Sequence, residues 1–455
     1  MMYEFTPKTI RKASFTGSSA CDIDGDTAHR EFNLMKDRDF ATVEQIADFG
    51  NTRMNVIDEI SFANEELLIR LSKHLRNYTE CQEWIYGSIP VVFLGDFRQL
   101  EPIGGTTIYK TDNSIYWEQA LSLMVELKGM HRYKDCPKFG EIMYDFRERG
   151  LSNENRAILN ERLINHTSVK LPNITTTKFA TNRNLTRAKI NRTVFRHYLQ
   201  KHHANKTPST IPTSAIVIKS STKWSRNGKD LTFNQRKVLF TECTEASTNG
   251  SRSNRCDPFL CLFDGCEVMT INNDDVKNGF ANGTQARFRK VCLKPNEETV
   301  PIKVNGYWVH SINISQVDYI VLEWTGGIRT GTFRVKPKRN RFRVTYPVLM
   351  LDRKMTIKTS MDITYFPIHI NHATTGHKLQ GKSLLQLVIA EWKRASNWVY
   401  VVLSRVTRLE GLYLTKRIPE GVDFSPDPSY SSMMERLRAS KLVQWNETED
   451  LHAML

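Results

Sequence analysis

Short apolar runs that end in acidic residues dominate the first hundred positions. Asn-Val-Ile-Asp-Glu-Ile-Ser (Asn55 to Ser61) is one; Val-Val-Phe-Leu-Gly-Asp-Phe-Arg-Gln-Leu-Glu-Pro-Ile-Gly-Gly (Val91 to Gly105) is the other. Each reads as a buried parallel strand with polar chemistry at its carboxyl end. Between them Leu67, Leu68, Leu71 and Leu75 fall at helical spacing, so the unit predicts strand, helix, strand. Upstream, a strand ending in Thr16-Gly17 leads into small residues and a predicted helix, and the stretch continues through His29 to Phe32. Its hydroxyls and free N–H groups suit a phosphate contact, and equally a capped helix. Downstream, Tyr319 to Trp324 and Thr332 to Leu351 alternate as strands do, Leu384 to Ala390 reads as a strand, and Trp398 to Leu403 as an apolar strand or helix.

Ligands of open parallel sheets bind just beyond the strand ends. There Asp58 can hold a magnesium ion and Glu59 can orient or deprotonate a water, the chemistry of nucleotide hydrolysis. Asp96 and Gln99 stand where a terminal phosphate would be sensed. The plainer alternative is a pair of buried strands with incidental acidic caps.

Charge narrows the partners. Lysine and arginine number 64 against 49 acidic residues, a formal net charge of +15, which favours a polyanion such as nucleic acid. No run approaches the ~18 apolar residues of a membrane span, and the first residues lack the apolar core of a signal peptide. The eight cysteines include no CxxC pair, so reduced thiols are expected. Cys256, Cys261 and Cys266 recur at five-residue spacing with Cys243 upstream, which permits zinc, but no histidine follows at ligand spacing.

Further blocks follow in order: Leu127 to Tyr133, Asp145 to Gly150, Ala180 to Arg183, Asn282-Gly283-Thr284, Thr375 to Gly381 and Tyr400 to Arg408. With the Thr16-Gly17 block and the two acidic blocks, the chain resembles a DNA helicase of the Pif-one-like and RecD-like, 5′-to-3′ branch of superfamily one. The resemblance covers most of the chain. It implies an α/β fold of two RecA-like P-loop NTPase domains, the first incomplete, with an inserted small SH3-like β-barrel. The implied divisions are 1–125 for the first RecA-like domain, then 126–202, 258–284 and 363–418 for the second. A polar insertion fills 203–257, the SH3-like insertion 285–362, and a C-terminal tail 419–455.

The resemblance also implies roles. Asp58 matches the magnesium ligand, Glu59 the water-activating acid, and Gln99 the γ-phosphate sensor beside Asp96. Arg132 and Arg405 match the two arginines directed at the nucleotide, where a planar, permanently charged guanidinium can stabilise a transferring phosphoryl group. Thr16, Gly17, His29, Thr375, His377 and Lys378 match nucleic-acid contacts. Gln380 and Gly381 would couple those contacts to the nucleotide. ATP and Mg²⁺ are the implied cofactors, and single-stranded DNA and DNA junctions the partners, with a monomer and no membrane association. DNA repair, recombination and telomere maintenance are the implied processes.

Gly376 to Ser383 fits GxxxxGK[ST] letter for letter. A true P-loop follows a buried strand, opens a helix and lies upstream of the acidic strand; here a strand is predicted next, far downstream. The segment therefore reads as a DNA-touching motif, and the family's P-loop is expected upstream of Thr16, in a part the chain lacks. That leaves a rival reading: a catalytically inactive remnant that binds single-stranded nucleic acid without hydrolysing ATP. A scaffold binding neither ligand is a third, disfavoured by the positive charge. Arg334, Lys336, Lys338, Arg339, Arg341 and Arg343, interleaved with Phe333, Phe342 and Tyr346, suit either phosphate tracking with base stacking or a solvated hairpin face. The same run resembles a nuclear-localisation signal, so the nucleus is the expected compartment, with the mitochondrion as alternative.

Overall fold

The protein is described here by a computed structural model covering residues 8–35, 39–102, 104–164, 169–232, 234–235, 259–272, 280–325, 330–350 and 353–443, with side chains except at 342–359. The predicted strand–helix–strand unit is present. Strands β1 (Ile10–Ser14), β2 (Asp26–Thr27), β3 (Met54–Asp58) and β4 (Val91–Phe93) form a parallel sheet in the order β2-β1-β3-β4. The helix Glu65–Thr79 joins β3 to β4. Asn64 caps it, its side-chain oxygen accepting from the Leu67 N–H at 2.9 Å, and Glu65 and Glu66 sit in the first turn, where the helix dipole favours negative charge. Leu68, Leu71 and Leu75 are fully buried against Ile57 and Ala13 of the sheet. Beyond β4 the described residues supply no further strand to this sheet; Val92 and Leu94 are partly exposed, as are Leu123, Val125 and Leu127 further along.

A second parallel sheet, ordered β18-β5-β19-β20, joins β5 (Lys178–Thr181), β18 (Ala373–Thr375), β19 (Leu387–Ile389) and β20 (Leu412–Leu414). Against it lies the helix Ser396–Leu403, in which every residue from Trp398 to Leu403 is buried. A short run apolar on all sides carries no period that separates strand from helix, and packing decided for the helix.

The 285–362 segment, expected to be an SH3-like barrel, is divided among open sheets, and no closed barrel occurs among the described residues. β10 (Gln285–Leu293), β13 (Val317–Trp324) and β14 (Thr332–Val335) join β9 (Glu267–Thr270) and β17 (Ile368–Ile370) in the order β14-β13-β10-β9-β17. β11 (Val300–Val304) and β12 (Tyr307–Asn313) join β6 (Ala215–Lys219) and β8 (Phe259–Phe263), with β12 parallel to β6. The long hairpin of β15 (Lys338–Met350) and β16 (Arg353–Tyr365) takes β7 (Ser221–Trp224) at its edge. Alternation reported the strands but not the sheets they enter, in which five strands, β6, β7, β8, β9 and β17, come from outside the segment. Two of those partners, β6 and β7, come from the stretch read as a polar insertion at 203–257. There Ala-Ile-Val-Ile forms a buried strand inside surroundings whose average composition is polar. Residues 236–258 of that stretch, with Cys243 and Cys256, lie outside the described residues.

The segment read as a tail of a proline-rich turn and one amphipathic helix contains that helix. The helix Pro428–Lys441 buries Tyr430, Met433 and Leu437 in the core of the first sheet, and Arg436 and Arg438 pair with Glu118 and Glu126. One buried cation then ties the lobes together. Arg98, 2% exposed, follows β4 and donates to the backbone oxygens of Arg147 (2.8 Å), Phe146 (3.1 Å) and Phe424 (3.3 Å). Replacing it with Leu takes its donor from the Arg147 carbonyl and removes charge-assisted bonds, while Phe146 O keeps the Gly150 N–H and Phe424 O the Ser396 hydroxyl. Arg98→Leu should lower unfolding stability by roughly 3 kcal/mol, read from urea or thermal denaturation. An unchanged midpoint would show that the junction does not depend on it.

Candidate functional site

Glu59 is the centre of the site. It directly follows β3 in the left-handed region (φ 57°), which turns the chain sharply; the residue is 8% exposed. Its Oε2 accepts a hydrogen bond from Gln380 Nε2 at 2.7 Å, across 321 positions of sequence. Gly381, with φ 77°, follows; a Cβ there would approach Glu59 Oε1 to 3.7 Å. Burial pushes the Glu59 carboxyl up to about 7, the Gln380 bond and Arg405 opposing, Asp58 and Asp96 adding to the rise. A carboxyl titrating there is poised for proton transfer near neutrality.

Asp58 stands beside it. Its Oδ1 accepts the Glu59 N–H at 2.8 Å, and its Oδ2 accepts from the Ser19 hydroxyl. Asp96 begins the turn after β4; its Oδ1 takes the Arg98 N–H at 2.9 Å, and its carbonyl takes the Gln99 N–H at 3.0 Å. Gln99 Oε1 is buried without a hydrogen-bond partner.

Both predicted arginines converge on one residue, Ser404. Arg405, 1% exposed, donates from Nε to the Val401 carbonyl (2.8 Å) and from Nη2 to Ser404 Oγ (2.6 Å). Arg132 donates to Ser383 Oγ (3.0 Å) and to the Ser404 carbonyl (3.1 Å). Burial, then the charge of Arg132, brings Arg405 down to about 10, so it stays a cation at neutral pH. Its Nη1 is buried with no hydrogen-bond partner, as is Gln380 Oε1. Backbone bonds lace the two coupling segments together: Leu384 N to Arg405 O at 2.8 Å and Thr407 N to Leu384 O at 3.1 Å.

Among the other predicted residues, Lys378 and the Asn282-Gly283 loop meet at α1 (Gly17–Asp22). Thr16 caps this helix, its Oγ1 accepting from the Ser19 N–H at 3.2 Å, and Gly17 is its first residue. His29 stands edge-on to Phe15 with ring centroids 6.1 Å apart. Lys378 Nζ donates to Asn282 Oδ1 at 2.7 Å. Gly283 packs against Ser18 and Lys378 at ordinary contact distance, and its φ of 105° lies in the region that favours glycine. Thr375 ends β18, and the backbone at Gly376 packs on Trp398, where a Cβ would come within 2.3 Å of the indole nitrogen. His377 is half-buried; burial, then Lys393 and Lys378, push its pKa down, so its ring is neutral at physiological pH.

The GxxxxGK[ST] match does not build a phosphate cradle. A four-residue helix, Gly376–Leu379, precedes its second glycine, Lys382 Nζ pairs with Asp22 at 3.0 Å, and Ser383 accepts from Arg132. The basic ribbon is partly neutralised: Arg339 and Arg341 bind Asp362 at 3.0 and 2.8 Å, and Arg334 lies over the Tyr319 ring at 4.7 Å. Cys243 and Cys256 of the zinc alternative lie outside the described residues, and burial pushes the Cys266 thiol up to about 12. Ser19, Ser383, Ser404 and Asn282 were not singled out by sequence reasoning as site residues. Each lies within a block that was, and only the partner it meets in space marks it out.

The Glu59 carboxyl makes stability depend on pH in a stated direction. Its native pKa lies above its unfolded value of about 4.5, so the native state holds the proton more tightly, and stability is lost as pH rises from about 4.5 through 7. Glu59→Gln keeps an acceptor for Gln380 and carries no charge. It should therefore be more stable than the parent at pH 8, by at most about 3 kcal/mol, with the difference gone by pH 4. Thermal unfolding of both proteins across this range reads it; parallel pH curves would refute the buried carboxylate.

Comparison with known proteins agrees with this geometry. A sequence model of the PIF1-like helicase family matches residues 6–141. No curated protein sequence matches the chain significantly. The fold is similar to Bacteroides Pif1 bound to ssDNA (TM-score 0.61, 18% identity, covering 95% of this chain and 88% of that one). It is similar to Bacteroides Pif1 in complex with ADP-AlF3 and ssDNA (TM-score 0.62, 18% identity, 96% and 89%). It is also similar to the Pif1 helicase of Candida albicans (TM-score 0.58, 19% identity, 95% and 89%). Residues 6–141 thus carry the sequence pattern of the PIF1-like helicases, and nearly the whole chain carries the Pif1 helicase fold.

Proposed function

We propose that this protein is an ATP-dependent DNA helicase of the Pif1 type, moving 5′ to 3′ on single-stranded DNA and acting at DNA junctions, with the nucleus as its compartment. The observation that carries the reading is the Gln380–Glu59 hydrogen bond. It joins the acidic end of the first sheet to a segment that also carries Thr375, His377 and Lys378, the last of which binds Asn282 in the loop beside α1. Hydrolysis at one place and strand contact at the other are then separated by only two to five residues of chain. The strand polarity and the processes served rest on the order of the sequence motifs.

The residues present fit the terminal end of a magnesium nucleotide. Arg405 Nη1 is a buried donor without a partner, as an anion would complete, and Gln99 Oε1 and Gln380 Oε1 are buried acceptors without one, as the hydrogens of a water would complete. Asp58 would hold the magnesium ion, and Gln99, Arg132 and Arg405 the terminal phosphate. The bound nucleotide supplies a phosphoanhydride bond to be cleaved by water. Glu59, in its ionised form, accepts a proton from that water, and the raised pKa makes this ionisation fall near neutral pH. Arg405 stabilises charge that develops on the phosphoryl group, an effect of roughly 10³- to 10⁵-fold in related sites. Gln380, hydrogen-bonded to Glu59, makes the acid's position depend on the second lobe, so closure of the lobes and activation of the water occur together.

Phosphate release from ATP by the purified chain, with and without single-stranded DNA, tests this beside Glu59→Gln. DNA-stimulated release that the substitution abolishes is the expected result. No release, with salt-sensitive DNA binding intact, would instead assign the chain the strand-binding role alone.

A further inference from the structure

The six residues of α1 touch more of the molecule than their length suggests. Ser18 meets Gly283 and lies on the Lys378 side. The Thr284 hydroxyl is 4.0 Å from Cys21 Sγ, and Asp22 pairs with Lys382 at 3.0 Å. Those three contacts reach the second lobe, beside the residues assigned above to the DNA strand and to Gln380. The fourth turns the other way. Ser19 donates its hydroxyl hydrogen to Asp58 Oδ2, while the Ser19 N–H is held by the Thr16 cap at 3.2 Å.

Asp58 has two oxygens, and both are spoken for within the first lobe: Oδ1 by the Glu59 N–H at 2.8 Å and Oδ2 by Ser19. The first bond is local to the strand end and cannot report on anything distant. The second makes the carboxylate's rotation depend on where α1 sits. The position of α1 is in turn set by Thr16 and by its contacts with the Asn282-Gly283-Thr284 loop and Lys382. Fixing the ligand of an ion from a neighbouring hydroxyl is the usual task of outer-shell groups in metal sites.

We propose that Ser19 is a positioning residue that orients Asp58 and transmits occupancy of the DNA surface on α1 to the metal-binding carboxylate, a second link between the two sites alongside Gln380–Glu59. The proposal rests on the functional reading above. A strand seated against Thr16, Ser18 and Lys378 shifts α1 by a fraction of its contact distances, and Ser19 carries that shift to Asp58 Oδ2. By reciprocity, the state of Asp58 must alter the affinity for DNA.

That reciprocity can be measured without nucleotide. Binding of a fluorescent oligo-dT is titrated for the parent chain, Ser19→Ala, Asp58→Ala and the double variant, in two salt concentrations. Thermal melting confirms that each is folded; Asp58→Asn replaces Asp58→Ala in the cycle should the latter fail to fold. Each single substitution is expected to change the Kd by roughly three- to tenfold, and the double variant to be no different from either single one. Effects that multiply, or a Ser19→Ala protein with unchanged affinity, would overturn the link while leaving the helicase reading intact. Absence of salt-sensitive oligo-dT binding by the parent would overturn both, and so is distinct from failure of the link alone.

Discussion

A buried carboxylate whose hydrogen-bond partner comes from the other lobe is the constraint on which this structure turns. Glu59 is held in a left-handed backbone conformation that costs about 1–3 kcal/mol for a residue with a side chain. It is also kept away from water, which opposes its charge. Both costs fall on a single position at the end of β3, and the Gln380 amide offsets part of them. Neighbouring features serve to bring that amide there: the glycine at 381 with its positive φ, the close packing of Gly376 on Trp398, and the backbone bonds between Leu384 and the Arg405 strip.

The arginines illustrate how an apolar element can present a polar group accurately. The helix Ser396–Leu403 is buried along six consecutive residues, so its end has no freedom to wander. Arg405 issues from that end, is anchored by Val401 and Ser404, and keeps one N–H unspent. Arg132 arrives from a distant segment and binds the same serine. A guanidinium with an unsatisfied donor in a dry site is costly unless an anion completes it, which is the physical ground for proposing it as a phosphate ligand.

The groups proposed to face a DNA strand and those proposed to face a nucleotide share their supports. Thr16 caps the helix that carries Ser18 toward Gly283 and Ser19 toward Asp58, and Lys378 is two residues from Gln380. Where two sites hang on the same short elements, motion at one is felt at the other, because packed elements shift as units rather than deforming continuously. The remaining architecture braces this region. Arg98 ties the turn after β4 to the second lobe, and the helix Pro428–Lys441 returns to close the core of the first sheet.

Local order was legible along the chain because it follows from local chemistry. The apolar runs ending at Asp58 and Phe93, the leucine spacing of 67 to 75 and the Thr16 cap each declare an element within a few residues, and the chemistry-bearing side chains sit at the ends of those elements. The strand predicted after Gly376–Ser383 is present as β19, as expected for a segment that is not a phosphate loop. What could not be read is which distant segments pair. The alternating strands of 285–362 announced antiparallel ribbons but not that β6, β7, β9 and β17 would join them in open sheets. Composition hid β6 inside polar surroundings, and nothing in the tail's sequence said that Tyr430 and Met433 belong to the first core. The Gln380–Glu59, Arg132–Ser404 and Ser19–Asp58 contacts are of the same kind: hydrogen bonds across 321, 272 and 39 positions. The sequence by itself determined which groups the chain holds ready and at which element ends. Only the tertiary structure decided which of them meet, because a side chain's partner depends on the packing of sheets whose register no local pattern specifies.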